Sequence, residues 1–203
     1  MKLTVTTHIT VDGVVQGNGG RSENRSGGFE RGGWARPYFH PESAEHINQI
    51  YASADTFLFG RRTYDLFAGY WGLQAPGSGP IADSLNTRPK YVVSNTLTDP
   101  GWAGTTVLSG GSDEVAAAVR ELTAKPGGDL QVHGSGTLTR WLLENHLVDQ
   151  LNLFVFPVIL GQGRRLFAES GPDLALDLAE SRAFPNGVML QVYRSAGQPQ
   201  YAD

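Results

Sequence analysis

The stretch VHGSGTLTRWL, residues 132–142, decides how this chain is interpreted. The strand-like run DLQVHG ends here, two glycines flank Ser135, and a helical pattern begins within three residues. Glycine lets backbone amides approach an anion closely, and a helix N-terminus presents unpaired N–H groups with a partial positive charge. The stretch therefore predicts either a phosphate-binding turn or a close-packed turn between a strand and a helix.

The dinucleotide-binding fingerprint is incomplete at this turn. Gly134 and Gly136 match its first two glycines, but Thr139 and Arg140 stand where the third glycine is expected. No acidic residue for a ribose follows at the usual spacing. The motif by itself leaves both interpretations open.

A second strand-to-helix junction, TFLFGRRTYDLF at residues 56–67, favours the anion. Gly60 ends the strand, and Arg61–Thr63 fall in the first helical turn. Cations are normally disfavoured at this positive end of a helix, so two arginines there suggest an anion between them, for which guanidinium is well suited. In the alternative, one arginine pairs with Asp65 or Asp83 and the other is solvated.

Strand-like and helix-like segments alternate along the rest of the chain. We expect strands over 3–11, 55–60, 90–97, 105–110, 129–134 and 150–160. We expect helices over 41–53, from 61, from a Ser112 cap, and over 137–146. The runs 174–184 and 188–194 flank Asn186-Gly187, a strong hairpin signal. The pattern predicts one α/β domain over residues 1–203, with a parallel sheet that becomes antiparallel at its C-terminal edge.

Composition excludes several classes of function. A formal net charge of −4 without a polybasic run argues against nucleic acid and anionic lipid as partners. The 203 residues include no cysteine, which removes disulfides, thiol catalysis and cysteine-bound zinc. The five histidines lack metal-ligand spacing, so no metal is expected. No apolar run approaches the roughly 20 residues of a membrane span, and we expect a soluble, cytoplasmic protein.

The order of the motifs resembles the dihydrofolate-reductase-like superfamily. The segments that carry the resemblance are ITVDGVVQ (9–16), FLFGRRTYDLF (57–67), KYVVSNTL (90–97), the opening stretch, LGQGRRLF (160–167) and the terminal hairpin. Within that superfamily the chain looks most like the C-terminal reductase domain of the riboflavin-biosynthesis protein RibD and its stand-alone relatives. The resemblance implies a mixed sheet of about eight strands flanked by helices, an NADPH cofactor and a homodimer.

The resemblance also implies a cofactor site. The pyrophosphate would lie on the glycine turn, here Gly134, Ser135, Gly136, Thr137 and Leu138. A cofactor phosphate would contact the second junction, here Gly60, Arg61, Arg62 and Thr63. Ser94, just after the third strand, would lie near the adenosine 2′-phosphate.

The reacting end of the site is assigned in the same way. Asp12 matches the aspartate of the family's S-x-D-G motif, with Thr10 replacing the serine; it would orient substrate or relay a proton, unless it is simply a turn residue. The glycine-rich segment 13–36 corresponds to the loop that covers the nicotinamide.

Further residues are expected around the substrate. The aromatic residues Trp34, Tyr38 and Phe39 would wall the substrate pocket, although two of the three could equally be plain core. Gln162 and Gly163 would lie at the pocket mouth. Arg164 and Arg165 are expected to be solvated or paired surface charges, and His133 either touches the cofactor or is a satisfied buried histidine.

Two departures bear on the substrate. The carboxylate that engages the pterin in dihydrofolate reductases is replaced by Ser43, with Glu42 and Glu45 beside it. The lysine that riboflavin-pathway reductases carry before S-x-D-G is replaced by Thr6 and Thr7. We therefore expect an NADPH-dependent reductase of a small heterocycle, most like 5-amino-6-(5-phosphoribosylamino)uracil reductase. The alternatives are a dihydrofolate-type reductase and a non-catalytic nucleotide-binding protein.

Overall fold

The structure, a computed structural model, describes residues 1–167, 171 and 173–202. Its strands are β1 (Lys2–Thr10), β2 (Ala54–Gly60), β3 (Lys90–Val93), β4 (Thr105–Leu108), β5 (Asp129–His133), β6 (Gln150–Phe156), β7 (Leu176–Ala183) and β8 (Met189–Ser195). Its α-helices are α1 (Pro41–Ser53), α2 (Arg61–Tyr70), α3 (Pro80–Thr87), α4 (Ser112–Thr123) and α5 (Gly136–Glu144). The prediction of one domain stays a prediction, and its range includes residues 168–170, 172 and 203, which lie outside the described part.

All eight strands form one sheet in the order β4-β3-β2-β5-β1-β6-β8-β7. The six strands from β4 to β6 pair in parallel, and β8 pairs antiparallel with both β6 and β7. The predicted mixed sheet, parallel with an antiparallel C-terminal hairpin and flanked by helices, is confirmed. The carboxyl ends of the parallel strands meet at one edge, which is where open α/β sheets bind ligands.

The two faces of the central strands differ in polarity. One face carries apolar side chains of β1 and β5, among them Leu3, Val5 and Val132, which pack against α4 and α5. The other face carries a line of buried polar side chains, and the Asn152 amide donates to the Thr6 hydroxyl at 3.1 Å within it. The members of this line are Thr4, Thr6, Gln131 and Asn152. The polar line continues into His8 and His133 at the carboxyl end of the strands.

The C-terminal hairpin turns through three residues, Pro185 to Gly187. The N–H of Gly187 donates to the Phe184 carbonyl at 2.9 Å, and the N–H of Phe184 donates to the Val188 carbonyl at 2.8 Å. Gly187 has a φ of 81°, a conformation that glycine adopts without strain. The predicted hairpin is therefore present, with Asn-Gly inside a three-residue turn.

Several strands are shorter than the apolar runs that predicted them. β6 ends at Phe156 because Pro157 has no N–H for the ladder. β3 ends at Val93, and the Ser94 hydroxyl accepts from the Thr96 and Leu97 N–H groups to form a turn. The apolar content of a run thus predicts that a strand is present better than it predicts where the strand ends.

Helix α3 was not expected from the sequence, and Lys90 is part of what holds it. Lys90 is only 1% exposed, and its ammonium donates to the carbonyls of Leu85 (2.7 Å) and Arg88 (2.8 Å) at the end of α3. The ammonium also lies 4.9 Å from the ring centroid of Trp102. The last carbonyls of a helix have no intrahelical donor, and the Lys90 ammonium supplies one for Leu85.

Within the described part of the chain, none of the helices has the length and apolar character needed to cross a membrane.

The buried Lys90 ammonium makes the free energy of unfolding vary with pH in the alkaline range. Burial lowers the pKa of Lys90 from 10.5 to about 8, so between those values the unfolded chain binds more protons than the folded one. The free energy of unfolding of the wild type, measured relative to Lys90→Met, should therefore rise with pH from 8 to 10.5, by up to about 3 kcal/mol. Urea titrations of both proteins across this pH range measure the difference between their free energies of unfolding. A difference independent of pH would contradict the lowered pKa of Lys90.

Candidate active site

A cleft of about 1160 Å³ opens at the carboxyl edge of the parallel strands. Ligand pockets commonly measure about 300–1,000 Å³, so this cleft has room for a large ligand beside a small one. Three strand-to-helix junctions and the 13–36 loop form its walls. Nine of its lining residues were predicted as cofactor contacts, namely Gly60, Arg61, Arg62, Thr63, Gly134, Ser135, Gly136, Thr137 and Leu138.

The turn from β5 to α5 has the geometry of an anion site. Gly134 and Ser135 have φ angles of 64° and 52°, which is unusual for a serine. The first intrahelical bond runs from the Thr139 N–H to the Ser135 carbonyl at 2.9 Å. The N–H groups of residues 136–138 therefore have no acceptor in the helix and are directed to its N-terminal end, at the cleft.

The turn from β2 to α2 lies against the first one. The Gly60 N–H donates to the Ser135 hydroxyl at 3.1 Å, which joins the two junctions. Arg61 Nε lies 2.9 Å from both carboxylate oxygens of Asp65. One arginine of the pair thus forms the ion pair with Asp65 that was the alternative to an anion site. Arg62 has no carboxylate within 4.0 Å among the described residues, and its Nη1 lies 3.5 Å from the Ser26 hydroxyl.

A third junction, from β4 to α4, also lines the cleft with Gly110, Gly111 and Ser112. Gly111 caps α4, and the Glu114 carboxylate accepts from its N–H at 2.8 Å. The predicted Ser112 cap is thus displaced by one residue, and the Ser112 hydroxyl accepts instead from the Trp141 indole at 2.9 Å. The signal was present in the sequence, because a strand runs into glycine and then a helix here as at the other two junctions.

Ser94 lies outside the residues that line this cleft. It is buried, and its hydroxyl is occupied by the turn that follows β3. Its place near a 2′-phosphate stays a prediction without support from its position.

The Asp12 carboxylate joins the end of β1 to the segment after β6. It accepts from the Thr10 hydroxyl (2.6 Å) and from the N–H groups of Leu160 (3.1 Å) and Gly161 (2.8 Å). Arg165 Nη2 lies 3.7 Å from the same carboxylate, and its Nε donates to the Asp12 carbonyl at 2.8 Å.

These contacts govern the protonation of Asp12. Burial alone would raise its pKa, but the hydrogen bonds from the Thr10 hydroxyl and from backbone N–H groups outweigh burial and lower the pKa to about 2. The carboxylate is therefore ionised at neutral pH and holds no proton to give. Neither Asp12 nor Thr10 is among the residues that line the cleft.

The predicted substrate-pocket aromatics are divided between core and solvent. Trp34 is buried, donates from its indole to the Gln16 carbonyl at 2.8 Å, and packs edge-on against Phe156. Tyr38 packs against Phe156 too, whereas Phe39 is 74% exposed. None of the three lines the cleft as described.

Gln162 and Gly163 support the 13–36 loop from behind. The Gln162 amide donates to the Gly28 carbonyl at 3.1 Å. A Cβ on Gly163 would lie 2.8 Å from atoms of Phe29 and Val14, so close packing requires glycine there. These two residues also lie outside the lining of the cleft.

The 13–36 loop has a defined structure of its own. The Gly33 N–H donates to the Gly17 carbonyl at 2.7 Å, and the Ala35 N–H donates to the Asn18 carbonyl at 3.3 Å. A Cβ on Gly32 would lie 2.7 Å from the carbonyl oxygen of Arg21. The glycines thus allow the loop to fold on itself, and its residues 15–20 and 22–24 line the cleft.

Two histidines stand where the polar line of the sheet ends, and one of them forms part of the floor of the cleft. His133 lines the cleft, and the His8 ring lies behind it with ring centroids 5.7 Å apart. His8 Nδ1 lies 3.0 Å from the side-chain nitrogen of Asn18. His8 Nε2 and His133 Nδ1 are buried without a hydrogen-bond partner among the described residues. His133 is therefore not the fully satisfied buried histidine of one expectation, and its contact with a cofactor stays a prediction.

Both imidazoles are neutral at pH 7. Burial lowers the pKa of His8 to about 4, and burial together with the nearby His8 lowers the pKa of His133 to about 3. A neutral imidazole has one N–H donor and one acceptor to offer a ligand.

The histidine pair makes stability sensitive to acid. Below pH 6.5 the unfolded chain binds protons on these histidines that the folded chain does not, so the free energy of unfolding should fall as the pH drops towards 4. His133→Gln should make that slope shallower by up to about 1.4 kcal/mol per pH unit. Denaturant titrations between pH 7 and pH 4.5 measure it. The exposed His146, in a left-handed conformation that asparagine tolerates, provides the control His146→Asn; equal slopes for all three proteins would contradict the buried neutral pair.

The chain has relatives among known sequences and solved structures. YyaP of Bacillus subtilis (strain 168), an uncharacterised protein, is 27% identical over 195 residues, which cover 93% of this chain and 92% of YyaP. A putative riboflavin biosynthesis protein from Shewanella sp. PV-4 has a TM-score of 0.71 at 18% identity, covering 96% of this chain and 99% of that one. Dihydrofolate reductase from Enterococcus faecalis, solved with NADP(H), has a TM-score of 0.58 at 14% identity, covering 96% of each chain. These likenesses show the dihydrofolate-reductase-like fold.

The family model of the RibD C-terminal domain matches residues 1–190, from the first strand to the start of the last. That range contains every junction and loop that forms the cleft. The sequence resemblance, the strand order and this match agree, and the chain belongs to the RibD C-terminal domain family.

Proposed function

We propose that this chain is an NADPH-dependent reductase of a small heterocyclic substrate. The observation that carries the proposal is the meeting of three strand-to-helix junctions in one cleft, with free helix N–H groups at the turn between β5 and α5. The family and the fold support a reductase in general terms, since the E. faecalis relative binds NADP(H).

The residues at the glycine turn fit a dinucleotide phosphate. A Cβ on Gly136 would lie 3.1 Å from Val15, closer than an ordinary contact, whereas a Cβ on Gly60 would lie 3.5 Å from the Ser135 hydroxyl, an ordinary contact. A side chain at position 136 would therefore crowd the space in front of the α5 N-terminus, and a longer side chain at position 60 would extend towards Ser135. Glycine at both leaves backbone N–H groups accessible to a pyrophosphate, which a helix N-terminus also favours electrostatically.

NADPH, when bound, supplies a hydride, and a reduced C=N or C=O group also needs a proton. Asp12 is ionised and held by the backbone of residues 160 and 161, so we assign it the positioning of that segment and assign the proton to water. His133 offers a neutral ring at the floor of the cleft, where it would orient a polar group of the substrate. The 13–36 loop excludes bulk water from one side.

The substrate is proposed to be 5-amino-6-(5-phosphoribosylamino)uracil or an analogue, as the family suggests. Folate is disfavoured by helix α1, because Ser43 bonds to the carbonyl of His40 and Glu42 pairs with Arg182 at 3.3 Å. No acidic residue of α1 lines the cleft as described. The homodimer implied by the resemblance stays a prediction.

Binding of NADPH tests the proposed cofactor site. Trp71 and Trp141 line the cleft, so a fluorescence titration should report saturable binding by wild-type protein. Gly136→Val should weaken NADPH at least about tenfold, roughly 1.4 kcal/mol, because the new side chain meets Val15 and enters the cleft. Gly101→Val is the control, since nothing lies within 4 Å of a Cβ there. Failure of the wild type to bind NADPH and NADH would refute the proposal.

Turnover tests the substrate. Oxidation of NADPH should accelerate with 5-amino-6-(5-phosphoribosylamino)uracil and not with dihydrofolate, and it is followed by the loss of NADPH absorbance. A second candidate is a nucleotide-binding protein without turnover. It is favoured by the hydrogen bonds that the Asp12 carboxylate accepts from the Thr10 hydroxyl and the Gly161 N–H, because they give Asp12 a structural role. NADPH binding with no oxidation in the presence of either substrate would favour that candidate.

A further inference from the structure

We infer that Arg62 and Arg164, with the Ser26 hydroxyl between them, form a binding site for a phosphate monoester at the mouth of the cleft. The inference deepens the proposed function, because it names a phosphorylated ligand for the same cleft. From the sequence alone, Arg164 is predicted to be a solvated or paired surface charge.

Two guanidinium groups from separate segments of the chain converge on one hydroxyl. Arg164 Nη2 donates to the Ser26 hydroxyl at 2.9 Å, and Arg62 Nη1 lies 3.5 Å from the same oxygen. Arg62 belongs to the first turn of α2, and Arg164 follows the Leu160–Gly163 turn, about a hundred residues further along the chain. Both arginines line the cleft. A neutral hydroxyl is a weak partner for two cations, and an anion there would satisfy both.

The buried side-chain amide of Gln16 holds the backbone around this site. Gln16 is 4% exposed, and its Oε1 accepts from the Arg164 N–H at 3.0 Å. Its Nε2 donates to the carbonyls of Asn24 (3.1 Å) and Ser26 (2.9 Å). One side chain thus holds the backbone of both Arg164 and Ser26 in place, while the two guanidinium groups belong to exposed side chains that reach Ser26 from either side of it.

The charge at this site is unbalanced. Neither Arg62 nor Arg164 has a carboxylate within 4.0 Å among the described residues, whereas Arg61 and Arg165 each have one. Glu23 is an acidic residue of the same wall, but its carboxylate accepts from the Gly19 N–H at 2.8 Å and pairs with neither arginine within 4.0 Å. The site therefore presents an excess of positive charge to a ligand.

The geometry favours a phosphate monoester over a carboxylate. A carboxylate has two oxygens and is satisfied by one guanidinium fork. A phosphate monoester has three free oxygens and about two negative charges, enough to accept from two guanidinium groups and a hydroxyl at once. Such a group occurs both as the 2′-phosphate of NADPH and as the 5-phosphate of a phosphoribosyl substrate.

The experiment compares Arg164→Gln with wild type in four titrations: NADPH, NADH, ribose 5-phosphate and ribose. Arg25→Gln is the matched control, because Arg25 neighbours Ser26 in the same loop, is exposed, and lies outside the lining of the cleft. Loss of one charge-assisted contact should weaken the phosphorylated ligand roughly tenfold. Thermal unfolding of each variant confirms that it is folded.

The four titrations distinguish the two possible sources of the phosphate group. Weaker NADPH with unchanged NADH would place the 2′-phosphate at Arg164, and weaker ribose 5-phosphate with unchanged dinucleotides would place the substrate phosphate there. The inference is overturned if no ligand changes, if NADPH and NADH weaken equally, or if Arg25→Gln has the same effect. A wild type that binds ribose 5-phosphate more tightly than ribose, through Arg164, but binds neither dinucleotide would refute the reductase and leave this site standing.

Discussion

The cleft depends on the hydrogen bond between the Gly60 N–H and the Ser135 hydroxyl. Ser135 adopts a left-handed backbone conformation to cap α5, and from there its side chain reaches the end of the neighbouring strand β2. Two junctions that are far apart in sequence are thereby held side by side, with their glycines facing the same space. A strained serine at this point is consistent with a functional site, since such conformations persist only where the surroundings enforce them.

The other walls of the cleft are positioned by the sheet, whose two faces differ in polarity. The apolar face of β1 and β5 holds α4 and α5, which carry two of the three junctions. The opposite face is polar, and its line of hydroxyl and amide groups ends in two neutral histidines, of which His133 lines the cleft. Each has one buried ring nitrogen without a hydrogen-bond partner among the described residues. A buried ring nitrogen without a partner costs free energy, so the His133 ring favours a polar group of a ligand beside it.

The sequence predicted what depends on short-range pattern. Parallel strands, the hairpin around Asn186-Gly187, and the two junctions at Gly60 and Gly134 all follow from local runs, and the structure contains them. Helix α3 was missed because its eight residues are too few to show a helical period. The contact between Gln16 and Arg164 could not be predicted because it joins residues 148 positions apart, which no local pattern reveals. Asp12 was recognised from a motif, but its ligands in the 160–161 turn became visible only in three dimensions.

We propose that the glycine turn before α5 binds a cofactor phosphate, and a crystal structure of the protein grown with NADPH is the decisive experiment. We expect the pyrophosphate within hydrogen-bonding distance of the backbone N–H groups of residues 136–138, with the nicotinamide towards His133. A dinucleotide bound elsewhere, or a glycine turn filled by protein side chains in the complex, would contradict it.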